Sequence, residues 1–261
     1  MGSAHTGPRG SDGPGPADDA SLGRDPAADG PATGPAAFAA LLRSLPPPTA
    51  GPLPVWDPAT ADRAPLPLFR RWLREAAEAG EPGPHTMTLA TADAEGRPSV
   101  RTVMLRGADE RGWHFGTHRT SRKGRELAAR PYAALGFSWL SLGRQVRVSG
   151  RVTAAGPEAS AADLRGRGVA ARASALSGER QSQLLGSYED LVRASAAAWS
   201  RAEREPDAVA RTWTLYAVAA DEVEFYQEEA RRRHVRLRYR RTDGGGGAGA
   251  DGGWTRELLW P

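Results

Sequence analysis

The sequence of 261 residues contains no cysteine, no asparagine and only one lysine. Without cysteine, disulfide bonds, thiolate metal sites and cysteine nucleophiles are excluded. None of the five histidines lies in an HExxH sequence, so we predict no zinc hydrolase and no bound metal. No apolar run reaches the roughly 18 residues of a membrane helix, and the first residues lack the pattern of a signal peptide. We therefore expect a cytoplasmic protein that does not engage membranes.

The chain also has little excess charge. Lys and Arg number 35 and Asp and Glu 31, which gives a formal net charge of +4. Every cation except Lys123 is arginine, so a single arginine is uninformative by itself. Nucleic-acid binding by phosphate neutralisation requires a concentrated basic patch. We predict no nucleic-acid partner, and an arginine-rich nucleic-acid-binding barrel is the alternative from a different functional class.

Composition divides the chain into a tail, an arm and one domain. Residues 1–36 are rich in Gly, Pro, Ala, Ser and Asp and lack aromatic residues, which predicts a disordered tail. Residues 37–64 are predicted to form a short helix and an irregular arm, and residues 65–261 the functional domain. The Gly-rich run at 244–253 is predicted to be a hairpin loop, because it lacks the strand-to-helix context of a phosphate loop.

The hydrophobic period predicts the fold class of this domain. Apolar residues spaced three and four apart predict a helix over 65–80. From residue 85 the period becomes two, and helices over 123–130 and 158–205 interrupt the strands. Strands and helices do not alternate, so we predict a mainly β fold with helices, an antiparallel barrel rather than a doubly wound sheet. The predicted strands cover 85–93, 100–107, 113–117, 132–140, 144–155, 213–219, 223–227, 234–241 and 255–259, with a turn at 108–112.

One group of polar residues suits a phosphate. Arg101 lies on a predicted strand, Thr117 ends the following strand, and Ser121, Arg122 and Lys123 open the next helix. The free N–H groups of a helix N-terminus, hydroxyls and cations together favour a dianion. A solvated basic turn has the same pattern, but the single lysine of the chain within this group favours a binding site.

Three further segments are polar. Gln145 lies on a strand that is either simply half-exposed or presents this amide to a planar heteroaromatic ring. The segment 180–183 is predicted to lie just inside a helix, where capping explains its polarity. The basic run 231–239 is typical of an edge strand protected by cations, with nucleic-acid targeting as the weaker alternative.

Six collinear segments resemble the pyridoxamine 5′-phosphate oxidase family, from about residue 68 to 261. They are PSVRTVMLR (98–106), SRKGREL (121–127), GRQVRVSG (143–150), RQS (180–182), EVEFYQ (222–227) and RRHVRLRY (232–239). The resemblance implies an FMN-binding split β-barrel that forms a homodimer with both chains contributing to each flavin site. It implies hydride transfer from the substrate to FMN, followed by reoxidation by O₂ to give H₂O₂.

The resemblance also assigns roles to individual residues. The FMN phosphate and ribityl chain are assigned to Arg101, Thr117, Ser121, Arg122 and Lys123. Contacts to the flavin from the partner chain are assigned to Gln145, Gln181 and Ser182, and the rest of the flavin pocket to Tyr226 and Arg236. The reactive face, near the substrate, is assigned to Arg232 and His234. Binding of the substrate's phosphate is assigned to Arg106 and Arg167.

Several positions depart from the family pattern, mostly on the substrate side. Arg106 stands where the family has Lys, Asp163 and Gly116 where it has Tyr, and Tyr226 where it has Trp. The family's serine in the loop after Arg167 falls at Ala171 or Arg172. An aspartate at 163 would repel a phosphate.

Three interpretations follow from these departures. The chain oxidises pyridoxine or pyridoxamine 5′-phosphate, with Arg106, Arg167 and Arg172 rebuilding the phosphate site. Alternatively, it resembles the flavin oxidases of phenazine biosynthesis and oxidises a dihydro-heteroaromatic carboxylate, or it binds flavin without turnover. A deazaflavin-using reductase on the same barrel is disfavoured by the SRKG and RQS segments.

Overall fold

The computed structural model describes residues 1–2, 34–46, 52–242 and 253–261. The chain divides into two compact units, residues 1–47 and 48–261, which are described separately. In the first unit, α1 (Pro35–Ser44) matches the helix predicted near residue 37. Most of the predicted tail and of the Gly-rich loop lies outside the described residues.

The second unit is built on one antiparallel sheet. Among the described residues its strands follow the order β2-β1-β5-β6-β7-β4-β3, and β8 joins β7 and carries β9. This confirms the mainly antiparallel fold class. The strands are β1 (Thr86–Ala92), β2 (Pro98–Met104), β3 (Gly107–Asp109), β4 (Gly112–His118), β5 (Tyr132–Trp139), β6 (Arg144–Ala154), β7 (Trp213–Gln227), β8 (Val235–Arg241) and β9 (Trp254–Leu259).

The sheet closes into a barrel where β2 passes into β3. The Leu105 N–H donates to the His85 carbonyl beside β1 (2.8 Å), whereas the Arg106 N–H donates to the His114 carbonyl of β4 (2.7 Å). The chain thus changes partners between two consecutive residues and joins the two edges of the sheet. The predicted turn at 108–112 was wrong in its first half, because β3 continues along the new partner.

Strand β7 is a single strand where the sequence predicted two. Its first half pairs with β4 and its second half with β8, so β8 and β9 extend away from the barrel. Opposite Ser149 and Gly150 the register shifts by one residue and leaves Asp221 of β7 unpaired, a bulge that bends β7 at the change of partner. A Cβ at Gly150 would lie 2.0 Å from the Ala219 carbonyl oxygen, so this close approach requires glycine.

Aromatic packing fixes α2 (Pro65–Glu78) against the barrel. Phe69 is fully buried and meets Phe137 edge-on, with ring centroids 5.0 Å apart. Trp72 is also buried and packs against Trp56 from the preceding arm at 4.9 Å. Each such ring contributes about 1.5–3 kcal/mol through burial. The arm from residue 52 onward is therefore part of the packed structure.

Four further helices follow the first strands: α3 (Arg122–Ala129), α4 (Pro157–Arg165), α5 (Val169–Ser177) and α6 (Tyr188–Arg204). Glycines end α4 and α5, at Gly166 and Gly178, as the sequence predicted. Arg180 ends a short 3-10 helix (Gly178–Arg180), and residues 181–183 lie in the turn between α5 and α6 rather than inside a helix, which corrects that prediction. Among the described residues, no helix combines the length and hydropathy needed to cross a membrane.

Candidate flavin and substrate site

The N-terminus of α3 lies at the end of β4. Ser121 is fully buried and caps the helix, its Oγ accepting the Gly124 N–H at 3.2 Å. The preceding turn is so tight that a Cβ at Gly124 would lie 2.4 Å from the Arg119 carbonyl oxygen. This turn brings Thr117 and the side chains of the first helical turn together, as the sequence predicted.

Lys123 is a buried cation in this cluster. It is only 8% exposed, and its Nζ donates to the neutral Gln181 Oε1 at 3.0 Å. Within the part of the chain that the structure describes, no carboxylate lies within 4.0 Å of Nζ. Burial, together with the nearby Arg101, lowers the pKa of Lys123 to about 8, against an opposing effect of Glu126. A buried ammonium without a paired anion indicates a site for an anionic ligand.

Glu126 orients the two arginines of the same cluster, and the sequence analysis missed it. Its carboxylate, 4% exposed, accepts from Arg101 NH2 at 3.1 Å and from Arg122 Nε at 2.8 Å. Burial raises the pKa of Glu126, but hydrogen bonds from Thr91, Ser99 and the two arginines outweigh this effect and hold it at about 2. The cluster of Arg101, Arg122, Lys123 and Glu126, here called the α3 cluster, carries two net positive charges.

The turn after α5 completes this cluster from the same chain. Gln181 Oε1 also lies 3.4 Å from Thr117 Oγ1, and Ser182 Oγ accepts the Arg122 N–H at 3.1 Å. Ser182 has a φ of 70°, a left-handed conformation that is uncommon for a residue other than glycine. The resemblance assigned Gln181 and Ser182 to the partner chain, whereas here they lie against their own α3.

A second charged cluster joins α4 to the barrel. Asp163 Oδ1 lies 3.5 Å from Arg106 Nε, and Asp163 Oδ2 lies 2.8 Å from Arg167 NH2. The indole N–H of Trp213 donates to the same Oδ2 at 3.0 Å. The structure thus brings Arg106 and Arg167 together, and it pairs both with a carboxylate. We call Arg106, Asp163 and Arg167 the α4 cluster.

Arg172 does not belong to this cluster. Its guanidinium is buried between α5 and α6, where it donates to the carbonyls of Ala202 and Pro206. These bonds hold the end of α6 and leave Arg172 unable to reach a substrate. The interpretation that Arg172 rebuilds a phosphate site was therefore wrong, and the neighbouring Ala171 is exposed and offers no polar group.

A row of polar residues crosses the barrel and its extension. Gln145 on β6 pairs in register with Tyr226 on β7, which pairs with Arg236 on β8. Paired residues on neighbouring strands face the same side of a sheet, so the three side chains share one surface. Arg236 is held there by Glu224, with Nε 2.7 Å from Oε1 and NH2 3.1 Å from Oε2. This row brings together three of the predicted flavin residues.

The turn before β8 carries the two residues predicted at the reactive face. Arg232 has a φ of 62°, and its N–H donates to the Glu229 carbonyl at 2.9 Å. His234 Nδ1 accepts the Glu229 N–H at 3.2 Å, and its ring lies 5.5 Å from that of Tyr226. In the neutral ring the proton is thus on Nε2, which remains available as a donor.

These groups form separate parts of one chain. Across the described ranges, no hydrogen bond or ion pair joins the row of Gln145, Tyr226 and Arg236, or the turn of Arg232 and His234, to the α3 cluster. We call the α3 cluster and this row with its turn the two polar regions of the chain, and below the two half-sites of the proposed assembly.

Comparison with known proteins gives the family of the chain. Residues 73–225 match the family model described as pyridoxamine 5′-phosphate oxidase, and residues 213–261 match the pyridoxine 5′-phosphate oxidase C-terminal dimerisation region. A pyridoxine/pyridoxamine 5′-phosphate oxidase of Burkholderia multivorans is 44% identical over 203 residues, covering 77% of this chain and 92% of that protein. One of Paraburkholderia phytofirmans is 43% identical over 188 residues, covering 72% and 87%.

Solved structures give the same result. PhzG from Burkholderia lata 383, in complex with tetrahydrophenazine-1-carboxylic acid, is 31% identical with a TM-score of 0.71, covering 81% of this chain and 100% of that chain. A pyridoxamine 5′-phosphate oxidase-related, FMN binding protein from Nostoc punctiforme shares the fold at 19% identity and a TM-score of 0.59, covering 74% and 97%. With a matching family model over more than half of its length, the chain belongs to the pyridoxamine 5′-phosphate oxidase family of flavin oxidases.

Proposed function

We propose that this protein is an FMN-dependent oxidase that binds the phosphate of its cofactor at the α3 cluster. The observation that carries the proposal is the buried Lys123, whose only hydrogen-bond partner among the described residues is a neutral amide. Two net positive charges beside a capped helix N-terminus fit the dianion of a phosphate monoester. The donor set at α3 therefore fits FMN rather than a flavin without a phosphate.

The residues at the start of α3 have defined roles in this proposal. Lys123, Arg122 and Arg101 bind the phosphate, Glu126 orients the two guanidinium groups, and the hydroxyls of Thr117, Ser121 and Ser182 add donors. When bound, FMN supplies the acceptor for a hydride from the substrate and is reoxidised by O₂, with H₂O₂ as product. The protein contributes orientation and electrostatics to this reaction.

Substrate contacts come from two places: the α4 cluster, whose Arg106 and Arg167 bind the charged group of the substrate, and the turn before β8. The Arg232 guanidinium binds an anionic or hydroxyl group of the substrate. His234 donates a hydrogen bond from Nε2, since its Nδ1 is occupied by the Glu229 N–H. That bond fixes the ring, so a substrate held at Nε2 is held in one orientation.

A homodimer would unite the two half-sites. The matched dimerisation region, residues 213–261, contains Tyr226, Arg232, His234 and Arg236. In the proposed assembly these residues, with Gln145, complete the flavin pocket of the α3 cluster of the partner chain. Light scattering of the flavin-loaded protein tests this arrangement, because a monomer that retains flavin would contradict it.

Two substrate classes are supported by different observations. The curated relatives favour pyridoxine or pyridoxamine 5′-phosphate, oxidised to pyridoxal 5′-phosphate. The PhzG complex, which holds a tetrahydrophenazine carboxylate, favours a dihydro-heteroaromatic carboxylate as the second candidate.

The experiment compares FMN with riboflavin, which lacks the phosphate. Apoprotein is titrated with each flavin, and binding is followed by quenching of flavin fluorescence. We expect FMN to bind at least about 100-fold more tightly, since charge-assisted bonds to the phosphate contribute about 1.5–3 kcal/mol each. Equal affinities, or no binding, would refute the proposal. Anaerobic mixing with pyridoxamine 5′-phosphate then distinguishes two cases. In an oxidase of this substrate the visible absorbance of the flavin is lost, whereas in a protein that binds flavin without turnover on this substrate it remains.

A further inference from the structure

We infer that Asp163 determines the substrate specificity of this enzyme by leaving the α4 cluster with one net positive charge. The cluster then suits a substrate with a carboxylate, a monoanion, better than one with a phosphate ester, a dianion. This inference rests on the proposed function, in which Arg106 and Arg167 bind the charged group of the substrate.

The geometry makes Asp163 an internal anion of the cluster. Its side chain is 10% exposed and that of Arg167 is 11% exposed, so solvent screens their 2.8 Å ion pair only weakly. The Trp213 N–H fixes Oδ2 from a third direction, and the Arg167 guanidinium stacks on the same indole at 4.4 Å. Asp163 thus supplies a fixed negative charge between the two arginines.

The cluster retains donors for a ligand. Arg106 is one-third exposed, and its two terminal nitrogens have no hydrogen bond within the described ranges of the chain. Arg167 Nε is buried and, among the same residues, lacks a partner. Unpaired guanidinium donors beside a neutralising carboxylate fit one further negative charge.

Three departures from the family pattern form one physical unit here. A Cβ at Gly116 would lie 2.4 Å from Trp213 Cζ2 and 2.6 Å from Arg167 NH2. The indole and the guanidinium therefore use the space that a side chain at 116 would fill. Gly116 admits Arg167, Arg167 pairs with Asp163, and Asp163 also draws Arg106 toward it. The substitutions are coupled and produce an altered subsite.

In the proposed function the α3 cluster is the dianion site, and its charge is the reference for the α4 cluster. There, three cations and one carboxylate leave two positive charges, and Lys123 remains without a paired anion. In the α4 cluster, two cations and one carboxylate leave one positive charge. The difference of one charge separates a phosphate site from a carboxylate site.

The test is Asp163→Asn, which removes the charge but keeps an oxygen for the Trp213 N–H. Affinities for the FMN-loaded protein are measured from the perturbed flavin absorbance, with two probe pairs that differ by one group. The ratio of the affinities for pyridoxine 5′-phosphate and pyridoxine is the phosphate gain. The ratio of the affinities for phenazine-1-carboxylate and phenazine is the carboxylate gain. Glu205→Gln, in an exposed ion pair with Arg201, is the control for loss of a carboxylate elsewhere.

In the unmodified protein we expect the carboxylate to increase affinity more than the phosphate does. Asp163→Asn is expected to raise the phosphate gain by at least about 30-fold, since a unit charge at roughly 8 Å and an effective dielectric near 20 is worth about that factor for each charge of the ligand. Glu205→Gln should leave both gains unchanged. An unchanged phosphate gain in a folded, flavin-loaded Asp163→Asn protein would overturn the inference.

A second variant covers the case in which Asp163→Asn does not fold. Arg106→Met leaves Asp163 and Arg167 as a neutral pair, so we expect the carboxylate gain to fall about tenfold while phenazine binding is unchanged. An unchanged carboxylate gain would overturn the inference. Failure to bind FMN in the unmodified protein would refute the proposed function instead, so the two failures are distinguishable.

Discussion

Replacing Lys123 with methionine is expected to stabilise the apoprotein and to weaken FMN binding. The Lys123 side chain lies 8% exposed against Gln181, and burial is the main reason that its pKa falls from 10.5 to about 8. Without a ligand, the folded chain therefore holds a charge in an unfavourable place. A phosphate removes this disadvantage by pairing with the ammonium.

The magnitude follows from the pKa values. The difference between 10.5 and about 8 corresponds to about 3 kcal/mol of unfavourable free energy in the folded apoprotein at pH 7. Methionine loses the hydrogen bond to Gln181, which is worth about 2 kcal/mol because the donor is charged. We therefore expect Lys123→Met to raise the free energy of unfolding of the apoprotein by about 1 kcal/mol.

The pH dependence has a defined sign. Between pH 8 and 10.5 the unfolded chain keeps the Lys123 proton while the folded chain loses it, so wild-type apoprotein gains stability as the pH rises through this window. FMN binding requires the charged form, so the affinity should fall about tenfold per pH unit above 8. Lys123→Met should show neither dependence.

Chemical unfolding of the apoprotein at pH 7 and 9.5 measures the stability, and FMN titration measures the affinity. Arg125→Met, an exposed cation on the same helix, is the matched control and should change neither quantity appreciably. A Lys123→Met apoprotein that is less stable than wild type at pH 7, or that binds FMN as tightly, would refute the reasoning.

Two further predictions concern buried charges. Glu126→Gln removes the carboxylate that pairs with Arg101 and Arg122, so we expect a loss of about 3 kcal/mol in the stability of the apoprotein, measured by urea unfolding. Because the Glu126 pKa of about 2 lies below the ordinary 4.5, this contribution is present above pH 4.5 and is lost as the pH falls toward 2; a variant whose acid unfolding matches wild type would contradict it. Arg172→Met should lower stability by about 2 kcal/mol, since it leaves the Ala202 carbonyl unpaired, but should not change flavin or substrate affinity; a changed substrate KM would contradict its structural assignment.

The elements of the fold were largely predictable because their signals are local. The three- and four-residue spacing of Leu66, Phe69 and Trp72 predicts the face of α2 that is buried. The exchange of partners at Leu105 and Arg106 was not predictable, since nothing in the local pattern tells which strand an N–H will meet. The single β7 was missed for the same reason, because its own bulge at Asp221 lets it continue past the polar residues that looked like a break between two strands.

The candidate site divides in the same way. Thr117, Ser121, Arg122 and Lys123 lie within seven residues of each other, so their joint placement followed from a strand, a turn and a helix start. The domain boundaries stay predictions from composition. The roles of Arg232, His234 and the residues of the polar row stay predictions from the family resemblance.

The sequence by itself determined the family, the barrel class and the grouping of Thr117 with the start of α3, because these depend on periodicity, order and short spacing. Only the tertiary structure decided that Glu126 orients the arginines, that Arg172 is structural and that Asp163 pairs with both Arg106 and Arg167. The charge available to a ligand depends on which opposite charges lie within a few ångströms, and Arg106 and Asp163 are 57 residues apart in the chain. Packing, not composition, sets that distance.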